Sequence, residues 1–474
     1  MSIVQTAVGY SYLIAAVGFV LGLHFMNSPA TARRGNLLSA AGMVLAVAAT
    51  LALVIDEGTI TATGWIVLGV GGLIGTLIGL RTAIRIKMTA VPQLVSLFNA
   101  VGGGAAALLA IAGFVRLTSG IHGAMTSRTI VATSLDVVIG MVTFSGSLIA
   151  AGKLQGWISG NPIVIPGARG LNVALAAVAV GGSGYLIAGS DSGIVLGIVV
   201  LCALVFGVTM VLPIGGADMP VVISLLNALT GTAVAMAGFV IDNSALIIAG
   251  ALVGAAGAIL TKLMADAMNR SILSIIVGGF GTGSSGPVGA VGTGGAVRRI
   301  TADDAAIQLV YATKVIIVPG YGLAAAQAQH EVRDLAVLLA DRGVDVSFAI
   351  HPVAGRMPGH MNVLLAEADV PYTQLKEMDE INPEFAQADV ALVVGANDVT
   401  NPAARRPGNA VSGMPILDVD QAKNIIVIKR SMGHGYADID NELFANPKTG
   451  MFFSDAKVGL DQIIAAAKAL VATG

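Results

Sequence analysis

The sequence has few charged residues and almost no cysteine. Only 11% of its 474 residues are Asp, Glu, Lys or Arg, whereas 55% are apolar, and this excludes a protein that is soluble along its whole length. The net charge of -2 gives no indication of nucleic-acid binding. The single cysteine, Cys202, lies in an apolar run, which excludes a disulfide framework and a metal site built from cysteines.

The charges that are present are distributed unevenly. Residues 1–270 contain 11 of the 26 Lys and Arg residues and 7 of the 28 Asp and Glu residues. Residues 278–295 contain nine glycines in eighteen positions and no charge, a composition typical of a flexible tether. We therefore predict a transmembrane domain over residues 1–270, a Gly-rich linker over 271–299 and a soluble domain over 300–474, which is long enough to bury its own core.

The first part contains apolar segments long enough to cross a bilayer, for which a helix needs about 20 apolar residues. Because the first segment lacks the basic start and the cleavage site of a signal peptide, we expect it to be retained. The sequence predicts nine spans, at residues 3–25, 35–55, 59–80, 90–115, 129–152, 170–190, 192–216, 219–241 and 243–265.

The basic residues predict the orientation of these spans. Lys and Arg lie mainly in alternate loops, for example Arg81, Arg85 and Lys87, whereas the opposite loops carry only Arg116 and Arg128. Because cytoplasmic loops are rich in Lys and Arg, the N-terminus is expected outside and the soluble domain in the cytoplasm.

Four polar residues in or next to the spans are candidates for a functional role, because polar groups at membrane depth are costly. Asp136 is predicted inside the fifth span and is either a lone carboxyl near the outer surface or the mouth of a proton path. Asp218 lies in the short connection before the eighth span. Asn99 and Asn227, in the fourth and eighth spans, either join helices by hydrogen bonds or hold water; neither can carry a proton by titration.

The soluble part alternates short β-branched runs with helical stretches, which indicates a doubly wound parallel sheet. The predicted fold is thus a polytopic α-helical membrane bundle followed by an α/β doubly wound, Rossmann-like domain. Helices are expected at Ala324–Arg342 and Lys457–Leu470. The predicted strands are Val315–Val318, Val344–Ile350, Val390–Val394, Ile416–Leu417, Ile425–Ile428 and Met451–Phe453.

The end of the first strand carries a nucleotide-binding pattern. Gly320, Gly322 and Ala325 have the G-x-G-x-x-A spacing with which small residues let a pyrophosphate approach a helix N-terminus. The acidic residue that would bind an NAD ribose is missing, because the second strand ends at Ile350 and is followed by His351 and Pro352. After the fifth strand, Lys429, Arg430 and Ser431 could bind a 2′-phosphate. This favours NADP over NAD; the alternative is a solvated basic pair.

Several longer strings resemble one family closely. The strings at residues 319–330, 351–362, 395–402 and 429–432, together with Gly215-Gly-Ala-Asp-Met-Pro-Val-Val222 in the membrane part, resemble the β subunit of proton-translocating NAD(P) transhydrogenases. The likeness extends over the whole chain and includes the number of spans.

The resemblance implies an enzyme shared between chains of a bacterial inner membrane. A partner α subunit, in one or two polypeptides, would bind NAD(H), whereas this chain would bind NADP(H) and form most of the proton path. Hydride would pass from NADH to NADP⁺ while a proton moves inward, and the cell would gain NADPH. The assembly implied is a dimer of αβ units embedded in lipid.

The resemblance also implies roles for individual residues. Asp398 is the candidate for the group that senses the proton, the alternative being a simple hydrogen-bonding role. Asn99, Asn227, Asp136 and Asp218, singled out by their position in or next to the spans, are the candidates for the proton path, and no metal site is implied. The NADP(H) site would comprise Gly320, Tyr321, Gly322, Val353, Ala354, Gly355, Arg356, Met357, Pro358, Gly395, Ala396, Asn397, Asp398, Val399, Gly413, Met414, Lys429, Arg430, Ser431, Met432, Gly433, His434, Gly435, Tyr436, Asp455 and Ala456.

The sequence departs from the family in the membrane part. Family members often have a histidine where this chain has Asn99, and serines where it has Gly254-Ala-Ala-Gly257. In this family NADP also runs in the reverse direction across the sheet, which conflicts with a pyrophosphate at Gly320.

Two other classes of protein fit parts of the pattern. A channel or transporter gated by a cytoplasmic nucleotide-binding domain would combine the same two parts, but the spans contain no carbonyl-filter sequence and no repeated pair of interrupted helices. A membrane flavin or haem oxidoreductase is disfavoured because the spans offer no pair of histidines for haem.

Overall fold

The computed structural model describes residues 3–26, 29–58, 60–118, 126–159, 162–163, 165–215, 218–268, 271–272, 275, 297–355, 359–407, 409, 411–435, 437 and 439–473. The chain divides into two compact units. One consists of Met1–Ile214 and Val222–Thr261, and the other of Gly215–Val221 and Lys262–Gly474. The predicted tether at 278–295 lies outside the described residues.

Within these described ranges, nine helices are long and apolar enough to cross a membrane, which confirms the predicted number. Several helices extend a few residues beyond the apolar core of the predicted span, because polar residues continue the helix at its ends. They are α1 (Ile3–Phe25), α2 (Pro29–Glu57), α3 (Ala62–Arg85), α4 (Val91–Thr118), α5 (Ser127–Gln155), α6 (Ala168–Ile187), α7 (Gly193–Val211), α8 (Met219–Val240) and α9 (Ser244–Ala267).

The ends of α5 show why this helix begins and stops where it does. The Thr126 hydroxyl accepts a hydrogen bond from the Thr129 N–H at 3.2 Å, which satisfies one of the free donors of the first turn. Gly156 ends the helix with a φ of 82°, a left-handed conformation that glycine adopts without strain.

Glycines allow helices of the helical unit to pack closely against each other. A Cβ atom on Gly140 of α5 would lie 2.6 Å from the Gly103 carbonyl oxygen of α4 and 2.8 Å from the Ala107 Cβ. A Cβ on Gly231 of α8 would likewise lie 2.8 Å from the Gly250 carbonyl oxygen of α9. Small residues therefore let these backbones approach closely, as is usual in lipid, where packing replaces the hydrophobic drive.

The second unit is built on a parallel sheet. In the part of the chain that the structure describes, six strands pair in the order β3-β2-β1-β4-β5-β6, and all pairs are parallel. This order is that of the Rossmann fold and confirms the predicted class; it places a crevice at the carboxyl ends of β1 and β4. The strands are β1 (Lys314–Pro319), β2 (Asp345–Ile350), β3 (Leu375–Glu377), β4 (Val390–Val394), β5 (Asn424–Lys429) and β6 (Thr449–Phe453).

Both faces of this sheet are covered, which explains why its strands are apolar without alternation. Along β1, Val315 and Ile317 belong to one buried cluster while Ile316 and Val318 belong to the other, because successive side chains of a strand point to opposite faces. Among the described residues, six helices accompany the sheet: α10 (Ala302–Val310), α11 (Tyr321–Ala325), α12 (Gln329–Ala340), α13 (His360–Glu367), α14 (Met378–Ile381) and α15 (Ala456–Thr473).

Three expectations about the soluble part were wrong. Ile416–Leu417 is buried but is not a strand; it lies in an irregular segment whose Leu417 N–H bonds to the Val399 carbonyl at 2.9 Å. The predicted helix Ala324–Arg342 is two helices, because Gln327 between them has a φ of 53°. The edge strand β3 was missed because it has only three residues, two of them charged.

Candidate functional site

The candidate site lies where the turns after β1 and β4 touch. The Gly320 N–H donates to the Val394 carbonyl and the Gly322 N–H to the Gly395 carbonyl, both at 2.9 Å. A Cβ on Gly322 would lie 2.6 Å from the Gly395 Cα, and Gly395 itself has a φ of 68°. The backbone of the turn after β4 therefore occupies the space that a side chain on Gly320 or Gly322 would need. The absence of these side chains lets the two turns pack directly against each other.

The turn after β2 is fixed by a buried histidine. His351 is 1% exposed; its Nε2 lies 2.8 Å from the Pro415 carbonyl oxygen, and the Val353 N–H donates to its Nδ1 at 3.2 Å. Burial lowers the pKa of His351 to about 4, although the bond to Pro415 opposes this shift. The ring is therefore neutral at pH 7, with its proton on Nε2, and it joins the predicted site residues 353–355 to the segment after Met414.

The loop after β4 is held by two buried asparagines that the sequence analysis missed. Asn441 donates to the Asn397 carbonyl at 2.9 Å. Asn401 donates to the Asp440 carbonyl at 3.0 Å and accepts from the Ala403 N–H at 3.1 Å. Both side chains are almost fully buried, and their bonds tie this loop to the segment that ends the loop after β5. An asparagine next to a short polar turn is the only local signal of this role.

The loop after β5 carries the predicted basic pair. The Lys429 ammonium donates to the Gly433 carbonyl and lies 4.5 Å from the centroid of the Phe444 ring. Burial lowers the pKa of Lys429, while the carboxylates of Asp398 and Asp440 oppose this shift. Lys429 is thus half-buried inside its own loop, whereas Arg430 and the residues from Ser431 to His434 are exposed.

Asp398 connects the loops after β4 and β5. Its Oδ2 accepts a hydrogen bond from the Ala437 N–H at 3.1 Å. A Cβ on Gly435 would lie 2.6 Å from the Asp398 Cγ, so the glycine leaves room for the carboxylate. The far end of the β5 loop is therefore held by the Asp398 carboxylate, a group that can gain or lose a proton.

The remaining predicted residues lie around this arrangement or outside it. Gly413, with a φ of 79°, precedes Met414, which packs on the small cluster around Val411. Asp455 follows β6, beside β5, and its Oδ1 accepts from the Lys457 N–H at 3.1 Å at the start of α15. Four predicted residues, Arg356, Met357, Pro358 and Tyr436, lie outside the described residues.

The membrane candidates lie on three different helices and in the connection before α8. The Asn99 side-chain amide donates to the Ile223 carbonyl at 3.4 Å, and the Asn99 backbone carbonyl accepts from the Thr230 hydroxyl at 3.3 Å, so Asn99 joins α4 to α8. Asp136 is fully buried on α5. Asn227 is partly buried on α8, and Asp218 precedes that helix. Among the described residues, no group of three His, Cys, Asp or Glu side chains could hold a metal ion.

Comparison with known proteins gives a consistent result. Residues 8–466 match the family described as NAD(P) transhydrogenase beta subunit. Two relatives from Rhodospirillum rubrum, one of them assigned to a particular strain, are each named NAD(P) transhydrogenase subunit beta. Each is 48% identical to this chain over 465 residues, which cover 96% of this chain and 98% of the relative.

The buried histidine makes the stability of the soluble unit depend on pH. The imidazole has a pKa of about 6.5 when unfolded and about 4 when folded, so its contribution is complete above the first value and is lost as pH falls toward the second. We expect this residue alone to lower the free energy of unfolding by about 2 kcal/mol between pH 7 and pH 5. Urea unfolding of residues 297–474 measures this change.

The matched variant is His351→Asn, which removes the titrating group and retains a polar side chain. Its free energy of unfolding should fall less steeply between pH 7 and pH 5, because the other titrating groups are the same in both proteins. Parallel pH profiles for the two proteins would contradict the assignment of a neutral, buried His351.

Proposed function

The chain belongs to the NAD(P) transhydrogenase beta subunit family, and we propose that it binds NADP(H) in its soluble domain and couples hydride transfer to proton movement through its helical domain. Membership makes it a subunit of a multi-pass membrane oxidoreductase that works with an alpha subunit. The alternative of a gated channel or transporter is set aside, because the family is one of oxidoreductases.

The position of the basic pair is the observation that supports NADP(H). Lys429 and Arg430 lie at the carboxyl end of β5, beside the crevice where a Rossmann fold binds its nucleotide. Arg430 is exposed, and a guanidinium pairs with a phosphate through two parallel hydrogen bonds. The turn after β2 contains His351 in place of an acidic residue, so it offers no carboxylate to the ribose of NAD. The residues therefore fit a 2′-phosphate.

The two cations have different roles in this proposal. Lys429 holds the Gly433 carbonyl and contacts Phe444, so it fixes the shape of the loop. Arg430 presents its charge to solvent and would make the direct contact with the phosphate.

The protein's part in the hydride step is to bind, to orient and to exclude water. NADP(H), when bound, supplies the nicotinamide that accepts or gives the hydride. The touching turns at Gly322 and Gly395 and the loop on Asp398 hold the surrounding backbone in one geometry, and fixed geometry is the main catalytic contribution when no acid or base is needed. NAD(H) would be held by the alpha subunit, with net transfer from NADH to NADP⁺ and production of NADPH.

Proton coupling requires a link between a proton site and the affinity for NADP(H). Asp398 supplies it in this proposal, because a carboxylate accepts the Ala437 N–H more strongly than a carboxylic acid does. The proton path would use Asn99, Asn227, Asp136 and Asp218, with the N-terminus outside and the soluble domain in the cytoplasm of a bacterium. The complete enzyme would be a dimer of αβ units in the inner membrane.

Replacement of Arg430 should separate the two cofactors. Hydrogen bonds to a charged group contribute about 1.5 to 3 kcal/mol, so Arg430→Ala should weaken NADP⁺ binding to residues 297–474 by about tenfold or more and leave the weak binding of NAD⁺ unchanged. Titration calorimetry with both nucleotides measures this. The control is Arg342→Ala, since Arg342 is an exposed arginine that precedes β2, at the amino ends of the parallel strands, whereas Arg430 follows β5 at their carboxyl ends.

Equal losses for NADP⁺ and NAD⁺ in the Arg430 variant would show that this arginine does not recognise the 2′-phosphate. Lys429→Ala offers a second comparison, because it should also change the loop itself. Loss of protection of the 431–435 amides from hydrogen exchange is expected for Lys429→Ala and not for Arg430→Ala.

Replacement of Asp398 should loosen the loop after β5. Asp398→Asn keeps the size of the side chain but removes the charge-assisted bond to Ala437 and the attraction to Lys429, so NADPH should dissociate about tenfold faster. Stopped-flow fluorescence of bound NADPH measures the rate. Asp461→Asn, on the exposed side of α15, is the matched control. An unchanged rate of NADPH dissociation in Asp398→Asn would contradict the proposed link between Asp398 and the affinity for NADP(H).

A further inference from the structure

Helix α5 buries a carboxyl group that the structure leaves without a partner. Asp136 is 0% exposed, and neither of its oxygens has a hydrogen-bond partner among the described residues. A buried polar group without a hydrogen bond costs several kcal/mol, and a carboxylate costs more. A residue that adds only cost to the fold is expected to have a function.

The charged groups near Asp136 are few. The helices packed on α5 are α4, α6 and α7, together with α8, whose Leu226 would lie 3.3 Å from a Cβ on Gly146 and which carries no charged side chain. Their charged side chains are Arg116 near the end of α4 and Arg169 at the start of α6, and α7 has none. On α5 itself, Arg128 lies 3.9 Å from Asp242, and Lys153 donates to the carbonyls of Leu212 and Ile214. Asp136 itself therefore has no ion-pair partner in the described part of the bundle.

The side of α5 that carries Asp136 can be identified from the glycine contacts. Gly140, one turn after Asp136, lies against Gly103 and Ala107 of α4. Thr143 and Ser147 follow Gly140 at intervals of one turn, and residues three or four apart share a helix face. Asp136, Thr143 and Ser147 therefore lie along the side of α5 that faces α4.

A second group of buried polar atoms lies further along the same pair of helices. The Gln93 amide of α4 donates to the Leu154 carbonyl of α5 at 3.2 Å. With the Gly103 to Gly140 contact, this bond fixes an antiparallel register that sets Ser96 at the level of Ser147. Both serines are 0% exposed, and neither hydroxyl has a hydrogen-bond partner among the described residues, nor has the Gln93 Oε1.

These hydroxyls differ from their neighbours. A serine in a helix often donates to the carbonyl four residues earlier, as Ser145 does to Met141 at 3.0 Å and Thr143 to Ile139 at 2.7 Å. Ser96 and Ser147 do not, so their hydroxyls are available to bind water. Buried polar atoms in such positions are usually satisfied by ordered water.

We propose that Asp136 is the group that binds the translocated proton from the outer side, and that Ser96 and Ser147 form the inner station of a route between α4 and α5. This proposal rests on the proposed function and on the orientation given there. The proton enters from outer water onto a carboxylate oxygen of Asp136. It leaves through water held by the two serines, because a hydroxyl can both donate and accept a hydrogen bond. Only the proton is transferred in this step, and no covalent bond between heavy atoms forms or breaks.

The Gly103 to Gly140 contact lies between the two stations. Backbones that touch there leave no space for a continuous file of water, so the seam is closed in this state. A proton on Asp136 therefore reaches the serines only when α4 and α5 separate at these glycines. The closed contact prevents protons from crossing without turnover. Coupling to the reaction would act by separating α4 and α5 at this contact. Asn99 lies on α4 one turn from both Ser96 and Gly103, so it stands beside this route and joins it to α8.

The test uses the full complex with its alpha subunit in sealed vesicles, with NADH-driven NADP⁺ reduction and proton movement measured together. Asp136→Asn should reduce proton movement by about tenfold or more, and Asp136→Glu should restore it, because only a titrating group carries a proton. Ser96→Ala with Ser147→Ala should slow proton movement, whereas Ser145→Ala should not.

A second measurement does not depend on any variant folding. An apolar carbodiimide adds to a protonated carboxyl in an apolar site, and mass spectrometry of the wild-type complex should locate the adduct at Asp136. Undiminished proton movement in Asp136→Asn, or absence of the adduct at Asp136, would overturn the assignment. If wild-type vesicles reduced NADP⁺ without moving protons, the proposed function itself would fail, which is a different outcome.

Discussion

The contact between two backbone turns, at Gly322 and at Gly395, is the constraint on which the soluble site depends. A side chain at either position would separate the turns after β1 and β4. Because the turns touch, the peptide that follows Gly395 leaves the sheet in one direction only and brings Asp398 against the end of the β5 loop. The glycines of the fingerprint thus position residues far from them in sequence.

The loops at this edge behave as one hydrogen-bonded structure. Asn401 and Asn441 bond across 39 and 44 residues of sequence, respectively, and His351 bonds across 64 residues to the Pro415 carbonyl. In this network the cation proposed to bind phosphate lies at the start of the loop after β5, and the carboxylate proposed to sense the proton, on the loop after β4, holds the far end of the β5 loop. In the proposed mechanism, a change at one end of this loop alters the free energy of the other end, and this free-energy change is the coupling.

The sequence was sufficient for features that depend on local pattern. Span number followed from apolar length, and the sheet followed from β-branched runs between helices. The sequence was insufficient where the secondary structure or the hydrogen bonds of a residue depend on partners that are distant along the chain. Ile416–Leu417 is an apolar, buried pair that resembles a strand in sequence, but it does not pair with any strand of the sheet. Gln327 breaks a helix whose pattern is continuous. Asn401 and Asn441 look like ordinary turn residues, and the isolation of Asp136 becomes evident only when its neighbours in the bundle are known.

In the proposed mechanism, proton binding and affinity for NADP(H) are linked through the loop after β5. The most direct measurement is the affinity of the complete αβ complex for NADPH in sealed vesicles, determined with and without an imposed pH gradient across the membrane. Coupling free energies of this kind are about 1 to 3 kcal/mol, so we expect the dissociation constant to change by about five- to 150-fold. The same dissociation constant with and without the gradient would contradict it.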